Sequence, residues 1–367
     1  MKIIFAIKSM TISGGSERVL AEISNRLSSL GYEVSILSFD KTSERSFYQI
    51  DKGIEEIKLG DNFSNKKILT FELFKRIYLL RKKIKLCNSS VVIGFNYSIY
   101  LPLVISSIGL KIRLICSEHS TYKSFKKNFL ALILLKFIPF FQVKFIMVSL
   151  YAFNSFPKRI QKISEVIENP ISVRTEPLAS LSKKRNLILS VGRLSPEKNH
   201  LRLIEAFSKI SNKYPSWKLK IIGSGPLEEE IKKIILKKKV ENKIFLKKEV
   251  INIVEEYAQA KFSVLSSEYE GFSLVTAESL ACGLPVILFE DSNVLGLVKN
   301  MENGISIKNS ESNTLNLSIE MEKLISNEKL LFELSKKSKI PETYDINLVI
   351  EKWNRILKNS FLKKKTT

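Results

Sequence analysis

The sequence predicts an α/β protein built of two doubly wound, Rossmann-like domains facing a central cleft. Three observations carry that expectation. Apolar strand-like runs alternate with helix-period stretches, the rhythm breaks once at residues 171–184, and beyond the break it starts again. In the first half the runs are Ile3 to Ile7, Glu33 to Leu37, Val91 to Gly94, Ile112 to Cys116 and Lys144 to Ser149. In the second half they are Asn186 to Val191, Leu219 to Ile222, Lys243 to Leu246, Lys261 to Leu265 and Pro285 to Phe289. Such a βαβ rhythm implies parallel sheets with helices on both faces. The expected boundaries are 1–170 for the first domain, 171–184 for the linker, 185–341 for the second domain, and 342–367 for a closing helix and basic tail. In that helix, Asn347 to Phe361, the apolar Val349, Trp353, Ile356 and Leu357 fall at helical spacing, with no packing partner readable nearby.

A length of 367 residues suits two domains of ordinary size, and 44% hydrophobic with 26% charged residues describes a globular chain. The apolar stretch Ile3 to Ile7 is too short for a secretory leader and reads as a strand. Cys87, Cys116 and Cys282 lack paired or metal spacing, as expected of buried thiols in a reducing cytoplasm. Phe129 to Val148 is the most membrane-like segment, but Lys136, Pro139, Gln142 and Lys144 interrupt it, so a core helix followed by a strand is expected.

Net charge is +22, and residues 1–168 hold 26 basic against 13 acidic residues. Within them, 58–85 carries nine basic and two acidic residues, and 111–144 seven and one. A basic first domain invites an anionic partner, and a membrane surface fits better than nucleic acid because no nucleic-acid module accompanies the charge. Lysines solvated on helix surfaces are the plainer alternative.

Four loops hold candidate chemistry. Glu270-Gly271-Phe272-Ser273-Leu274-Val275-Thr276-Ala277-Glu278 follows an apolar strand and opens a helix, so Glu270 falls on the loop and Glu278 one turn into the helix, expected to face outward. Amides at such a helix start stabilise an anion. In Val191-Gly192-Arg193-Leu194-Ser195-Pro196-Glu197-Lys198, Ser195 and Pro196 read as an N-cap and first helical residue, which sets Arg193 and Lys198 at a strand's C-terminal end. A guanidinium fork and a mobile ammonium suit two phosphates, although solvated charges on an ordinary loop would look the same. Gly223-Ser224-Gly225-Pro226 follows a strand and would let backbone come close to a ligand; a tight turn explains it as well. Gly14 and Gly15 connect the first strand to a helix, and His119 ends a later strand. The chain has no Asp-x-Asp, no His/Cys metal spacing, no P-loop and no G-x-S-x-G elbow. Diphosphate charge would then fall to Arg193, Lys198 and helix amides, with no metal cofactor expected.

These motifs, in this order and across almost the whole chain, resemble the family 4 glycosyltransferases of the GT-B fold, retaining enzymes of bacterial surface polysaccharide synthesis. The resemblance rests on Gly14-Gly15, Ser117-Glu118-His119, Glu168-Asn169-Pro170, Val191-Gly192-Arg193-Leu194 with Lys198-Asn199-His200, Gly223-Ser224-Gly225-Pro226, and Glu270-Gly271-Phe272 through Glu278 to Pro285-Val286. It implies a nucleotide diphosphate sugar donor, UDP-linked by expectation, with Arg193 and Lys198 on the diphosphate. Glu270 would hold the sugar and Glu278 the ribose. Phe272 to Leu274 would supply amides, Gly15 would face the donor from the opposite wall, and His119 would lie beside sugar and acceptor. It also implies a terminal helix that crosses back to the first domain. Many relatives carry Gly-Pro-x-Glu where this chain reads Asp291-Ser292-Asn293-Val294-Leu295-Gly296, a departure that bears on donor-sugar contacts there. The expected acceptor is a glycan on a polyprenyl diphosphate, reached from the cytoplasm at the inner membrane face. Two competing readings are a non-catalytic sugar-nucleotide-binding subunit and a sugar-nucleotide epimerase or phosphorylase of similar fold.

Overall fold

The structure, a computed structural model, describes residues 1–60, 70–126, 129–141, 143–173 and 184–362. The chain divides into two units, Met1–Pro170 joined by Thr343–Thr367, and Ile171–Glu342. Most of the expected linker (174–183) and the basic tail (363–367) lie outside the described residues.

The first unit holds strands β1 (Lys2–Ala6), β2 (Glu33–Ser38), β3 (Glu55–Lys58), β4 (Val91–Phe95), β5 (Arg113–Glu118), β6 (Val143–Met147) and β7 (Ser164–Val166). They lie in the order β3-β2-β1-β4-β5-β6-β7 and pair in parallel. Its helices are α1 (Gly15–Ser29), α2 (Thr70–Leu86), α3 (Tyr100–Ser107), α4 (Tyr122–Phe125), α5 (Phe129–Phe137), α6 (Leu150–Ser155) and α7 (Lys158–Gln161). Leu80 and Ile84 of α2, Leu103 and Val104 of α3, and Leu134 and Leu135 of α5 share one buried cluster with Ile4, Val92 and Phe145 of the sheet. Each fully buried Leu or Phe contributes about 1.5–3 kcal/mol.

The second unit holds β8 (Leu187–Val191), β9 (Lys218–Ile222), β10 (Ile244–Lys247), β11 (Phe262–Leu265), β12 (Val286–Phe289) and β13 (Gly304–Ile307), in the order β10-β9-β8-β11-β12-β13, again parallel. Its helices are α8 (His200–Ile210), α9 (Glu228–Lys237), α10 (Ile253–Gln259), α11 (Leu274–Ala281), α12 (Asn313–Ser326) and α13 (Glu328–Lys337). Ile188, Leu219, Ile221 and Phe262 point into a cluster with α8, α12 and α13. Leu187, Leu189 and Ile222 point into another with Tyr257 and Cys282. Alternate residues of β8 and β9 thus feed opposite faces, as a sheet covered on both sides requires.

The closing helix, α14 (Ile346–Leu362), belongs to the first unit, with Val349, Trp353, Ile356 and Leu357 buried. Arg26 donates to Asn347 Oδ1 at 2.6 Å, Tyr32 Oη donates to Asn354, Arg113 donates to the Ile356 carbonyl at 3.2 Å, and Lys352 pairs with Glu168 at 2.5 Å.

Three strands escape the sequence reading: β3, β7 and β13. All are three or four residues long and lie at sheet edges; β3 and β7 are only partly buried and need no apolar run, and β13, though buried, is too short to show one. Phe129 to Val148 resolves into α5, a 3-10 turn Ile138–Phe140 and β6, and no helix among the described residues is long and apolar enough to cross a membrane. Cys116 and Cys282 are buried and Cys87 half-buried, all as thiols.

Candidate active site

In the second sheet the strand order reverses between β8 and β11, because β9 and β10 lie on one side and β12 and β13 on the other. Loops leaving the C-terminal ends of two such neighbours diverge and leave a crevice, the usual ligand position in open α/β sheets. The β8 loop carries Arg193 and Lys198; the β11 loop carries Glu270.

Lys198 and Glu270 meet there. Lys198 Nζ donates to Glu270 Oε1 at 2.7 Å and Oε2 at 2.9 Å, and Ser267 Oγ donates to Oε1 at 2.6 Å. The Lys198 side chain is 22% exposed and that of Glu270 8%, so the pair is partly desolvated but still reachable. The backbone holds it in place. Ser266 Oγ donates to the Lys198 carbonyl at 2.8 Å, and the Glu268 amide to the Glu197 carbonyl at 2.9 Å.

Helix α8 starts later than the sequence predicts. Pro196–Lys198 form a single 3-10 turn, and the α-helix begins only at His200. Asn199 intervenes in the left-handed region (φ 48°), a conformation that short polar side chains tolerate, and its Oδ1 accepts from the Arg202 amide at 3.3 Å. Ser195 Oγ, expected to cap the helix, donates to Glu197 Oε1 at 2.6 Å instead. Burial alone would raise the Glu197 carboxyl; Ser195, its own amide, Lys198 and Arg193 hold it below the ordinary range. Arg193 is exposed on the loop.

Gly223 and Gly225 receive a sharper explanation. A Cβ on Gly223, whose φ is +147°, would stand 2.1 Å from the Gly192 carbonyl oxygen; one on Gly225 would stand 2.3 Å from that of Leu194. The backbone they admit is that of the Arg193 loop. It is bonded on by Gly192 N to Ile222 O (3.0 Å), Leu194 N to Ser224 O (2.9 Å) and Leu227 N to Leu194 O (3.0 Å). These glycines therefore set the height of the loop that presents Arg193 and Lys198.

Glu278 does not face outward. It is 2% exposed, and Tyr257 Oη of α10 donates to its Oε2 at 2.9 Å. Helix α11 is covered nearly all round, with Leu274 and Thr276 to Leu280 buried, so it has no solvent face for the glutamate. Of the expected amides, that of Leu274 donates to the Phe272 carbonyl at 3.0 Å within the turn. Phe272 and Ser273 are buried, and Gly271 is half-buried. Ser266, Ser267 and Tyr257 were missed as site residues. The two serines adjoin the Glu270 motif in sequence, whereas Tyr257 comes from a separate helix.

Gly14, Gly15 and His119 lie in the first unit. Gly14 caps α1 and Gly15 begins it, on the loop after β1, and Glu17 lies so close that a Cβ on Gly14 would stand 2.0 Å from its Oε2. β1 and β4 mark the order reversal of this sheet. His119 follows β5, stacks on Phe95 at 4.8 Å, and shares a 3.1 Å hydrogen bond with Ser117 Oγ. Burial pushes its imidazole down to about 3, so it is neutral at ordinary pH. Beside it, burial raises the Glu118 carboxyl to about 7, although Ser120 donates to Oε1 from its amide (2.8 Å) and its hydroxyl (2.6 Å).

With a folded value for Glu118 above the unfolded one, the native state holds the extra proton between about pH 4.5 and 7. Its contribution is complete below that window and lost as pH rises through it. Glu118→Gln, which mimics the protonated acid, should therefore melt above wild type at pH 8 by an amount equivalent to roughly 3 kcal/mol, with the gain vanishing near pH 4.5. The measurement is the melting-temperature difference between the two proteins across that range, in which the opposite histidine contributions cancel.

Family models match both halves of the chain. Residues 13–174 match Glycosyltransferase Family 4, and 175–340 match Glycosyl transferases group 1. An uncharacterized glycosyltransferase of Haemophilus influenzae is 30% identical over 361 residues, covering 97% of this chain and 99% of its own. The chain is a family 4 glycosyltransferase. A Campylobacter jejuni alpha-1,4-N-acetyl-D-galactosaminyltransferase, named for a diNAcBac-PP-undecaprenol-linked glycan, is 27% identical to this glycosyltransferase and covers 97% of it and 98% of itself. Among solved structures, Anabaena HepE in complex with UDP-glucose superposes with a TM-score of 0.79 at 17% identity, covering 98% and 100% of the two chains. Sucrose-phosphate synthase from Thermosynechococcus elongatus gives 0.80 at 15%, covering 99% and 100%. Both likenesses are of fold, and the two parallel-sheet units of this glycosyltransferase are those of GT-B. No cluster of three or more His, Cys, Asp or Glu able to hold a metal ion occurs among the described residues.

Proposed function

We propose that the enzyme moves a sugar, with retention of anomeric configuration and without a metal ion, from a nucleotide diphosphate sugar to a glycan carried on a polyprenyl diphosphate. The setting proposed is surface polysaccharide synthesis, on the cytoplasmic side of the membrane. The observation that carries the reading is the Lys198–Glu270 pair at the order reversal of the second sheet, with Arg193 exposed on the same loop. A cation and a carboxylate already in contact suit a ligand that is anionic at one end and hydroxylated at the other. The diphosphate draws Lys198 and Arg193, and the freed Glu270 accepts from sugar hydroxyls. Glu278, fixed by Tyr257, takes the ribose once the nucleotide displaces the covering side chains, and Phe272 to Leu274 line the helix start beneath it.

In this scheme the acceptor hydroxyl attacks the face that the diphosphate leaves, and the departing phosphate oxygen takes its proton. The C1–O(phosphate) bond breaks as the C1–O(acceptor) bond forms, so no protein nucleophile is needed. Catalysis then lies mainly in stabilising charge on the leaving diphosphate. His119, neutral, serves as a hydrogen-bond partner to sugar or acceptor. A lipid-linked acceptor is supported by the Campylobacter jejuni relative's name, and UDP is the first nucleotide to test because HepE was solved with UDP-glucose.

The experiment is a donor panel with an undecaprenyl-diphosphate-linked glycan, read as nucleotide release and a mass increase of one sugar in the lipid product. Donor binding alone should raise the melting temperature by an amount that grows as RT ln(1 + [L]/Kd). Donor-dependent stabilisation with no transfer to any acceptor would favour a binding subunit instead.

A further inference from the structure

We infer that a cavity at the N-terminal edge of the first sheet is a second carbohydrate site, which holds a neutral saccharide away from the candidate active site. The Gly14 loop and His119 lie at the opposite edge, where β1 and β5 end. The strand register sets Lys2 beside Glu33, Ser35 beside both Ile4 and Glu55, and Leu37 beside Ile57. Alternate residues of a strand share a face, so Lys2, Glu33, Ser35 and Glu55 stand on the same face as Ile4, Leu37 and Ile57. Those three apolar residues pack in one cluster with Leu80 and Ile84 of α2. Nearer the strand starts the same face turns polar, although Lys83 and Leu86 from the end of α2 still line the space over it. What remains between them is a cavity of about 470 Å³, the size of a small-molecule site.

Solvation at an open sheet end accounts for lysines and glutamates there. It does not account for Ser89. This residue lines the cavity, is 6% exposed, and its Oγ has no hydrogen-bond partner among the described residues. A buried hydroxyl left unsatisfied costs free energy that a ligand bonding to it restores. Charge then selects the ligand. Lys2 and Lys83 are balanced by Glu33 and Glu55, so the lining is neutral within a stretch, residues 1–168, that holds 26 basic against 13 acidic residues. A neutral lining offers no net field to gather phosphate. Lys2 Nζ already meets Glu33 Oε2 at 3.1 Å, and Ser35 Oγ donates to Glu55 Oε2 at 3.4 Å. A zwitterion would have to part the ion pair, whereas sugar hydroxyls, each donor and acceptor at once, bridge it intact. Ile4, Ile57 and Leu86 give the C–H face of a sugar ring an aliphatic wall.

Cys87 serves as the reporter. It lines the same cavity and is half-buried, while Cys116 and Cys282 are buried, so N-ethylmaleimide should modify Cys87 first. Burial, with Glu55 nearby, raises its thiol above the ordinary value, which slows the reaction enough to follow by intact mass. The full chain is labelled in the presence of N-acetylglucosamine, N-acetylgalactosamine, glucose, galactose, chitobiose, maltose or lactose, with inorganic pyrophosphate for comparison. At least one saccharide should slow the modification by about threefold or more at saturation, and pyrophosphate should leave it unchanged. Ser89→Ala should raise the half-protecting concentration about fivefold to tenfold, the loss of one buried hydrogen bond. Glu55→Gln, at an exposed position where folding is not at risk, should raise it too, each protein being measured against its own unprotected rate. The inference is overturned if no saccharide protects, if pyrophosphate protects as well as the best saccharide, or if both variants are protected like the wild type. Sugar transfer is no part of this readout, so a failed donor or acceptor assignment leaves the result standing, and a failed second site leaves those assignments untouched.

Discussion

Lys198→Ala is expected to lower turnover by about 10²- to 10³-fold, the usual cost of removing one group that stabilises charge in the transition state. The loss should appear in kcat as well as in kcat/KM, because the ammonium's interaction with the diphosphate strengthens as negative charge builds on the leaving oxygen. A structural component accompanies it. Without Lys198, the Glu270 carboxylate, only 8% exposed, keeps the Ser267 hydroxyl but loses its cation. Since Lys198 itself is 22% exposed, that cost is discounted to about 1–2 kcal/mol, so the variant should still be folded at assay temperature. Arg193→Ala should lose turnover on the same scale with almost no change in melting temperature, because Arg193 is exposed. Steady-state kinetics with melting curves on both variants separate the two components. Near-normal turnover in both would remove cationic stabilisation of the leaving group from the mechanism.

Gly223→Ala should be the most damaging single change in the second unit. Its Cβ would collide with backbone, the Gly192 carbonyl oxygen at 2.1 Å, and the residue would keep a φ of +147° that side chains avoid. No side chain can swing away to relieve this. The loop must lift, at the expense of hydrogen bonds such as Gly192 N to Ile222 O and Leu194 N to Ser224 O. A cost of about 2–4 kcal/mol is expected, a fall of roughly 5–15 °C in melting temperature for a unit of this size. Because the lifted loop carries Arg193 and Lys198, nucleotide affinity should fall as well. Gly296→Ala is the control: it also has positive φ (+61°), but nothing lies within 4 Å of its Cβ position, so it should cost less and leave affinity alone.

Strands inside each sheet were legible because residues such as Ile3 to Ala6 and Val91 to Phe95 are buried on both sides and must be apolar throughout. Edge strands β3 and β7, only partly buried, carry no such demand, and β13, though buried, is four residues with Gly304 and Ser306 between its isoleucines, too short and mixed to stand out. The site was legible as motifs but not as geometry. Ser195 and Pro196 signal a helix start, and only the left-handed Asn199 reveals that the first turn is separate. Gly223 and Gly225 looked like room for a ligand, whereas the space is filled by a loop some thirty residues earlier in the chain. Glu278 was aimed at solvent because nothing local says that α11 is enclosed; the enclosure comes from distant elements, Tyr257 among them. The Lys198–Glu270 contact joins residues 72 apart, and it forms because the sheet order makes β8 and β11 neighbours.

The central claim is that cations on the β8 loop hold the nucleotide's diphosphate without help from a divalent ion. Calorimetric titration of UDP into the wild type and into the Arg193→Ala/Lys198→Ala double variant, both in excess EDTA, tests it most directly. The account predicts wild-type binding that is unchanged by the chelator and at least tenfold weaker binding in the variant. Binding that disappears in EDTA, or a double variant that binds UDP as tightly as wild type, would contradict it.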